Sequence, residues 1–278
     1  MQRSKPHLSR GVDIHLLGAA QLIHLQLDKN DKQPIQTEPD SAMLRLLLEA
    51  FIFHSVTSIP FQQPMDQCPA IDSAFSLAER KLETLDYDRG ISMHADMDGG
   101  AHSPVLGVPP RLFGYIREIA LMHQRFQVEG VVDISRCYVL GHILGQWENQ
   151  YTAGPSVISP GSKLYILASR ILIHRMVSHT PFTTTTTRNT NTDTSIQNLV
   201  SDGIILITHL QPSTDYYAEY YCWPILVVGM SALWQTERDC LLGKILEFWK
   251  MTRNGTMRRL VDILMGCWSE DVDVDILC

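Results

Sequence analysis

Hydrophobic positions recur along this chain at three- and four-residue intervals, the spacing that lines one face of an α-helix. The first block is Leu16–Leu27, with Leu16, Ala19, Ala20, Ile23 and Leu27 on one side. Residues 28–40 are polar and carry Pro34 and Pro39, which predicts a loop. Ser41 then reads as the N-cap of a helix from Ala42 to Val56, whose apolar stripe is Leu44, Leu47, Leu48, Phe51 and Ile52. Pro60 and Pro64 close that region. Asp72–Leu85 repeats the pattern with Phe75, Leu77, Ala78 and Leu82, and residues 86–103 are polar and glycine-containing, a second loop. Pro109 and Pro110 precede a helix carrying Leu112, Ile116, Ile119, Ala120 and Met122. Proline is tolerated in a first helical turn because the N–H it lacks has no partner there. Val131–Glu148 and Gly161–His179 follow, the latter with Leu164, Leu167, Ile171 and Met176.

The pattern breaks over residues 180–195, where Thr183 to Thr187 is an unbroken threonine run with almost no apolar content around it. Such a segment cannot offset its ordering entropy by burial, so a disordered threonine-rich loop is expected there. Helical spacing resumes in Ser195–Thr208, Glu219–Trp234, Glu237–Thr252 and Met257–Ser269, with Asn254-Gly255 read as a turn between the last two. Two short β-branched runs, Ile204–Ile207 and Ile225–Val228, are compatible with buried strand or buried helix, and their flanks favour helix. No succession of alternating strands and hairpin turns occurs. The expected class is therefore all-α: an irregular multi-helix bundle of roughly eight to ten helices, one domain over residues 1–278 with long loops.

Composition narrows the function. Hydrophobic residues make up 45% of the 278 positions and charged residues 19%, which is ordinary for a globular chain able to bury a large core. The formal net charge is −7 and the pI about 5.8, opposite in sign to a phosphate-tracking surface. Cys68, Cys137, Cys222, Cys240, Cys267 and Cys278 are scattered, with no C-x-x-C pair, and read as buried thiols of a reducing compartment. The N-terminal ten residues are basic and polar with no apolar run behind them, so no secretory signal is read. The longest apolar stretch, Tyr220–Trp234, is too short to span a bilayer and contains Pro224; it is expected to be a buried core helix.

Candidate chemistry is sparse. Ser231 in Gly229-Met230-Ser231-Ala232-Leu233 lacks the second glycine of a nucleophile elbow. Gly161-Ser162-Lys163 has the wrong order for a phosphate-binding loop. His174 and His179 are five apart and do not share a helix face as zinc ligands would. Asp96-Met97-Asp98-Gly99-Gly100 resembles part of a calcium loop, but Gly107 stands where the bidentate glutamate belongs. Asp271, Asp273 and Asp275 read as a solvated acidic terminus. No catalytic, cofactor-binding or metal-binding residue is assigned, and no cofactor is expected. Two groups remain. Lys250, Arg253, Arg258 and Arg259 form a basic cluster, by default a charged helix end and otherwise a match for an acidic protein surface. Tyr216, Tyr217, Tyr220, Tyr221 and Trp223 form an aromatic group, by default core packing and otherwise, with Arg170, the wall of a ligand pocket.

Several blocks together resemble the second of the two large fungal-specific transcription factor domain families. Leu17-Gly18-Ala19-Ala20-Gln21-Leu22-Ile23 is similar to the family's early glycine-alanine block. Ser103 to Phe113 resembles its proline-leucine-glycine-proline element, followed by a helix like Ile116-Arg117-Glu118-Ile119-Ala120. Tyr221 to Gly229 looks like its tryptophan-proline helix, and Glu237-Arg238 with Asn254 to Trp268 is similar to its closing helices. The blocks keep the family's order and span residues 16–268.

The resemblance implies the helical regulatory half of a zinc-cluster regulator, nuclear and tied to a metabolic, secondary-metabolite gene cluster. The six-cysteine zinc cluster is not seen, and the glycine-alanine block comes earlier than in family members, so the chain reads as truncated at its N-terminus. The expectation is a transcriptional regulator acting through protein contacts, with the transcription machinery or a DNA-binding partner. Neither direct nucleic-acid binding nor membrane association is expected, and a homo- or heterodimer stays open. The alternative is an enzyme or small-molecule binder of secondary metabolism on the same scaffold.

Overall fold

The computed structural model describes residues 9–30, 38–61, 68–88, 103, 105–153, 160–178, 190–211, 218–253 and 255–269. Among these the chain is all-α, with ten α-helices: α1 (Ser9–Asn30), α2 (Glu38–Thr57), α3 (Pro69–Asp88), α4 (Pro110–Glu129), α5 (Ile134–Ala153), α6 (Pro160–Ser178), α7 (Thr190–His209), α8 (Cys222–Ser231), α9 (Gln235–Thr252) and α10 (Gly255–Ser269). Short 3-10 turns, Ile59–Phe61 and Ala218–Tyr221, follow α2 and precede α8. The contacts gather into two compact units, Met1–Glu118 and Ile119–Cys278, whose boundary falls inside α4.

In the first unit α3 packs on both α1 and α2. Of the five positions that the helical spacing predicts in α1, Leu16, Ala20, Ile23 and Leu27 are buried and Ala19 is half-buried. In α2, Leu44, Leu48, Phe51 and Ile52 are buried, but Leu47 is exposed and two charged residues, Arg45 and Glu49, are inside. The helix also begins at Glu38, so Ser41 lies within its first turn instead of capping it. Pro39 falls in that turn, where it costs no hydrogen bond. The loop expected over 28–40 is accordingly shorter: 28–30 and 38–40 are helical, and 31–37 lie outside the described residues. The loop expected over 86–103 loses 86–88 to α3, and 89–102 lie outside the described residues. Before α4, Leu106 and Val108 are buried, and Gly107 takes a positive φ of 64° while its N–H donates to the Ser103 carbonyl.

The second unit is organised on α8, all ten residues of which are buried. It touches α6, α7, α9 and α10. A helix apolar all round belongs at the centre of a core, where its backbone groups bond to one another and every face can be dry. Gly229 permits the approach of α10: a Cβ there would lie 2.8 Å from a terminal carbon of Leu264. The helix is shorter than the Glu219–Trp234 block predicts. Residues 218–221 are a 3-10 turn, and the helix stops at Ser231 because Ala232 turns extended (φ −75°, ψ 116°). Leu233 and Trp234 are exposed as a result.

Elsewhere the helical blocks hold, and their ends move by a few residues. Ile204–Ile207 and Ile225–Val228 are helix, as their flanks indicated. The loop expected over 180–195 is cut short by α7, which starts at Thr190; residues 179–189 lie outside the described residues. The turn expected at Asn254-Gly255 is also displaced. Gly255 opens α10, Asn254 is outside the described residues, and Arg253 takes the left-handed conformation that caps α9 (φ 54°, ψ 22°).

Candidate interaction surfaces and buried polar groups

Of the aromatic group, Tyr220, Tyr221 and Trp223 are core. Trp223 is 1% exposed and stacks on Tyr165, with ring centroids 5.4 Å apart and planes 9° from parallel. Tyr220 leans on Tyr165 at 5.1 Å, and Tyr221 meets both Tyr220 and Phe248. The Tyr165 hydroxyl donates to the Tyr220 carbonyl at 2.7 Å, and burial pushes its pKa well above the ordinary tyrosine value. One polar atom is left over: the Trp223 Nε1–H is buried with no hydrogen-bond partner among the described residues. Arg170 is engaged in an ion pair with Glu148 on α5, and Tyr216 and Tyr217 lie outside the described residues.

Other sequence candidates are likewise absorbed by packing. Gly161 and Ser162 are buried in the first turn of α6 and Lys163 is exposed; a Cβ on Gly161 would press into the Tyr220 ring at 2.6 Å. Ser231 donates to the Val227 carbonyl one turn back at 3.0 Å, and its own carbonyl accepts from Gln197 Nε2 at 3.4 Å. His174 is half-buried on α6, and burial, reinforced by the Arg170 charge, lowers its pKa. His179, the Asp96–Gly100 stretch, the aspartates at 271, 273 and 275, and Cys278 lie outside the described residues.

The thiols divide. Burial pushes Cys137 to about 11 and Cys222 to about 12, whereas Cys240 is exposed, against the expectation of buried thiols throughout. Cys240 sits at the start of α9, where its helix face looks outward.

The structure adds a buried charge network in the first unit that apolar spacing does not reveal. Arg45 Nε donates to Glu49 Oε1 at 2.7 Å, and Arg45 also pairs with Asp86 near the end of α3. Glu49 Oε2 accepts the Val105 backbone N–H at 3.0 Å, so one carboxylate ties α2 to the segment before α4. Burial pulls Arg45 toward neutrality, but Asp86 and Glu49 more than offset it and hold the guanidinium above its ordinary range. Farther along, Arg117 pairs with Asp72 and lies over the Phe75 ring at 4.7 Å. The sequence clue is the spacing Arg45-x-x-x-Glu49 inside an apolar stripe; charged residues default to the surface, so the stripe alone hides it.

What remains unspent is at the surface. Lys250, Arg253, Arg258 and Arg259 do come together, at the corner where α9 ends and α10 begins. The guanidinium carbons of Arg253 and Arg258 lie 5.1 Å and 5.7 Å from the Trp249 ring centroid. In the first unit Ile14, Leu22 and Leu25 of α1 and Met43, Leu46 and Leu47 of α2 are exposed. No described helix is long and apolar enough to cross a membrane, and no three metal-ligating side chains gather among the described residues.

A helical scaffold built on a buried tryptophan-proline helix, with its free cations and apolar side chains on outer faces, is the class of fold on view. The chain belongs to the fungal specific transcription factor domain family, whose model matches residues 7–275. No curated protein and no solved structure matches it. The family is one of transcription factor domains and not an enzyme class, in line with the sequence resemblance.

Proposed function

We propose that this chain regulates transcription of a fungal metabolic gene cluster, of the secondary-metabolite kind, and does so in the nucleus through protein contacts. The observation that carries the reading is the match to the fungal specific transcription factor domain over residues 7–275. Two features support contact with protein over contact with DNA. The net charge is −7, and among the described residues a group of exposed cations, Lys250, Arg253, Arg258 and Arg259, lies at one corner of the second unit. The exposed apolar side chains of α1 and α2 are of the kind that partners cover. The partner is the transcription machinery or a separate DNA-binding chain, and a related chain can serve in a homo- or heterodimer.

The test tethers the whole chain to a heterologous DNA-binding domain above a reporter gene. Reporter output should change by severalfold, and a fluorescent fusion should collect in the nucleus. An inert tether excluded from the nucleus would refute the proposal. Anisotropy titration with duplex DNA should show no sequence-dependent sub-micromolar binding by the chain alone. Deletion of the gene should alter transcripts of a contiguous set of biosynthetic genes; unaltered transcripts would remove the metabolic part of the reading.

A further inference from the structure

The corner between α9 and α10 combines features that its own packing does not explain. Lys250, Arg253, Arg258 and Arg259 are all exposed, in a chain whose net charge is negative. Their described acidic neighbours do not balance them. Asp262 reaches Arg258 only at 4.0 Å and Glu247 is held by Lys244 at 3.0 Å; Glu219, which accepts from Thr256 Oγ1 at 3.3 Å, keeps its charge here but leaves the four cations in excess. The first turn of α10 contains no acidic residue, so Arg258 and Arg259 add to the positive pole of their own helix.

Two guanidinium groups lie over one half-buried indole, Trp249. One of them hangs from Arg253, the only non-glycine residue with positive φ among the described residues. Glycine or asparagine would occupy that left-handed cap at lower cost. An arginine there spends backbone strain to hold a cation over the ring.

We infer that this corner is the docking site for an acidic peptide segment of a partner protein, one whose carboxylates flank an apolar or aromatic residue. The carboxylates pair with Arg253, Arg258, Arg259 and Lys250, and the apolar side chain lies against the open part of Trp249. Charge complementarity sets the sign of the partner, and the cation–indole arrangement sets its composition. A nucleic acid is disfavoured by the small footprint: the cations occupy one helix corner and do not track a backbone. The inference rests on the reading that the chain works through protein contacts and names one such contact.

The experiment uses the full chain and a fluorescein-labelled peptide in which Asp and Glu alternate with Leu and Phe. Controls are the same peptide with Asn and Gln for Asp and Glu, and a mixed-sequence DNA duplex. The acidic peptide should bind, its affinity should fall as salt rises, and the neutral peptide should bind about tenfold more weakly or not at all. The double variant Arg258→Glu, Arg259→Glu should weaken the acidic peptide about tenfold without moving the melting temperature, because both side chains are exposed.

Arg253→Gly is the second probe. It relaxes the left-handed cap, so the fold is retained while peptide affinity drops severalfold. Equal binding of acidic and neutral peptides, affinity unmoved by these variants, or preference for the duplex overturns the inference. If the peptide binds only after residues 270–278 are deleted, the occupant is the chain's own acidic stretch and the external partner is overturned. None of these failures touches the reporter assay above, so the broader reading is judged separately.

Discussion

Replacing Trp223 tests whether the centre of the second unit is core or pocket. The side chain is 1% exposed and stacked on Tyr165, so essentially all of its surface is removed from water on folding. A buried tryptophan hides about 150–250 Å². At about 25 cal/mol per Å² that is roughly 4–6 kcal/mol, part of which alanine retains. Trp223→Ala should therefore cost about 3–5 kcal/mol, the usual range for truncating a large buried aromatic. In a unit of this size that lowers the melting temperature by about 10 °C.

Trp223→Phe separates two contributions. It keeps a ring against Tyr165 but removes an indole N–H that is buried without a partner among the described residues. Leaving a donor unpaired costs about 1–3 kcal/mol, and its removal offsets most of the packing lost with the smaller ring. The phenylalanine variant should thus lie within about 1 kcal/mol of the parent. Urea and thermal denaturation followed by circular dichroism give both numbers. The reasoning is refuted if phenylalanine costs as much as alanine, which means that the N–H has an acceptor, or if alanine leaves stability unchanged.

Gly229→Ala should destabilise by about 1–3 kcal/mol, because its methyl group meets the fully buried Leu264; a denaturation double-mutant cycle with Leu264→Ala should show positive coupling. Glu49→Ala should cost about 3–5 kcal/mol, since it strips one partner from buried Arg45 and leaves the Val105 N–H without its acceptor. A urea midpoint equal to the parent's would contradict this. With a thiol reagent at mildly alkaline pH, Cys240 should react at once and Cys137 and Cys222 only on unfolding; rapid labelling in a Cys240→Ser chain at those two positions would count against their burial. The folded-state pKa of His174 is lowered, so its neutral form is favoured by folding. Its contribution is complete above the unfolded value near 6.5 and is lost as pH falls below it. A His174→Gln chain should lose less stability between pH 7 and pH 5 than the parent, measured by melting temperature, roughly in proportion to that one proton.

Helical class and the identity of most buried faces were legible in the sequence because an apolar stripe is a direct imprint of a core. Leu16, Ala20, Ile23 and Leu27, and all four apolar positions named in Gly161–His179, are buried as their spacing required. The failures share a cause: local pattern does not carry tertiary partners. Leu47 fits the stripe of α2 yet is exposed, while Arg45 and Glu49 are inside because Asp86 and Val105 arrive from elsewhere to satisfy them. Leu233 fits the period of α8, but the helix ends two residues earlier. Asn254-Gly255 carries the composition of a turn, yet Arg253 takes the left-handed residue's place. The basic corner was visible as a cluster, whereas its arrangement around Trp249 depends on the angle between two helices, which spacing does not encode.

The last helix closes what the eighth begins. Leu264 fills the space over Gly229, and the Trp268 indole N–H donates to the Gly229 carbonyl at 3.0 Å while Arg238 lies over the same indole at 5.4 Å. Synthesis delivers these pieces in order. At about 5–20 residues per second, the ribosome needs roughly 8–30 s after the end of the first unit to reach Trp268. Only about 2–7 s of that follows the completion of α8 at Ser231, and during it α8 lacks the cover that α9 and α10 supply. The second unit is therefore the part of the nascent protein that calls for a chaperone's shelter, and a ribosome stalled short of Trp268 would present that bare helix to the machinery that degrades unfinished chains.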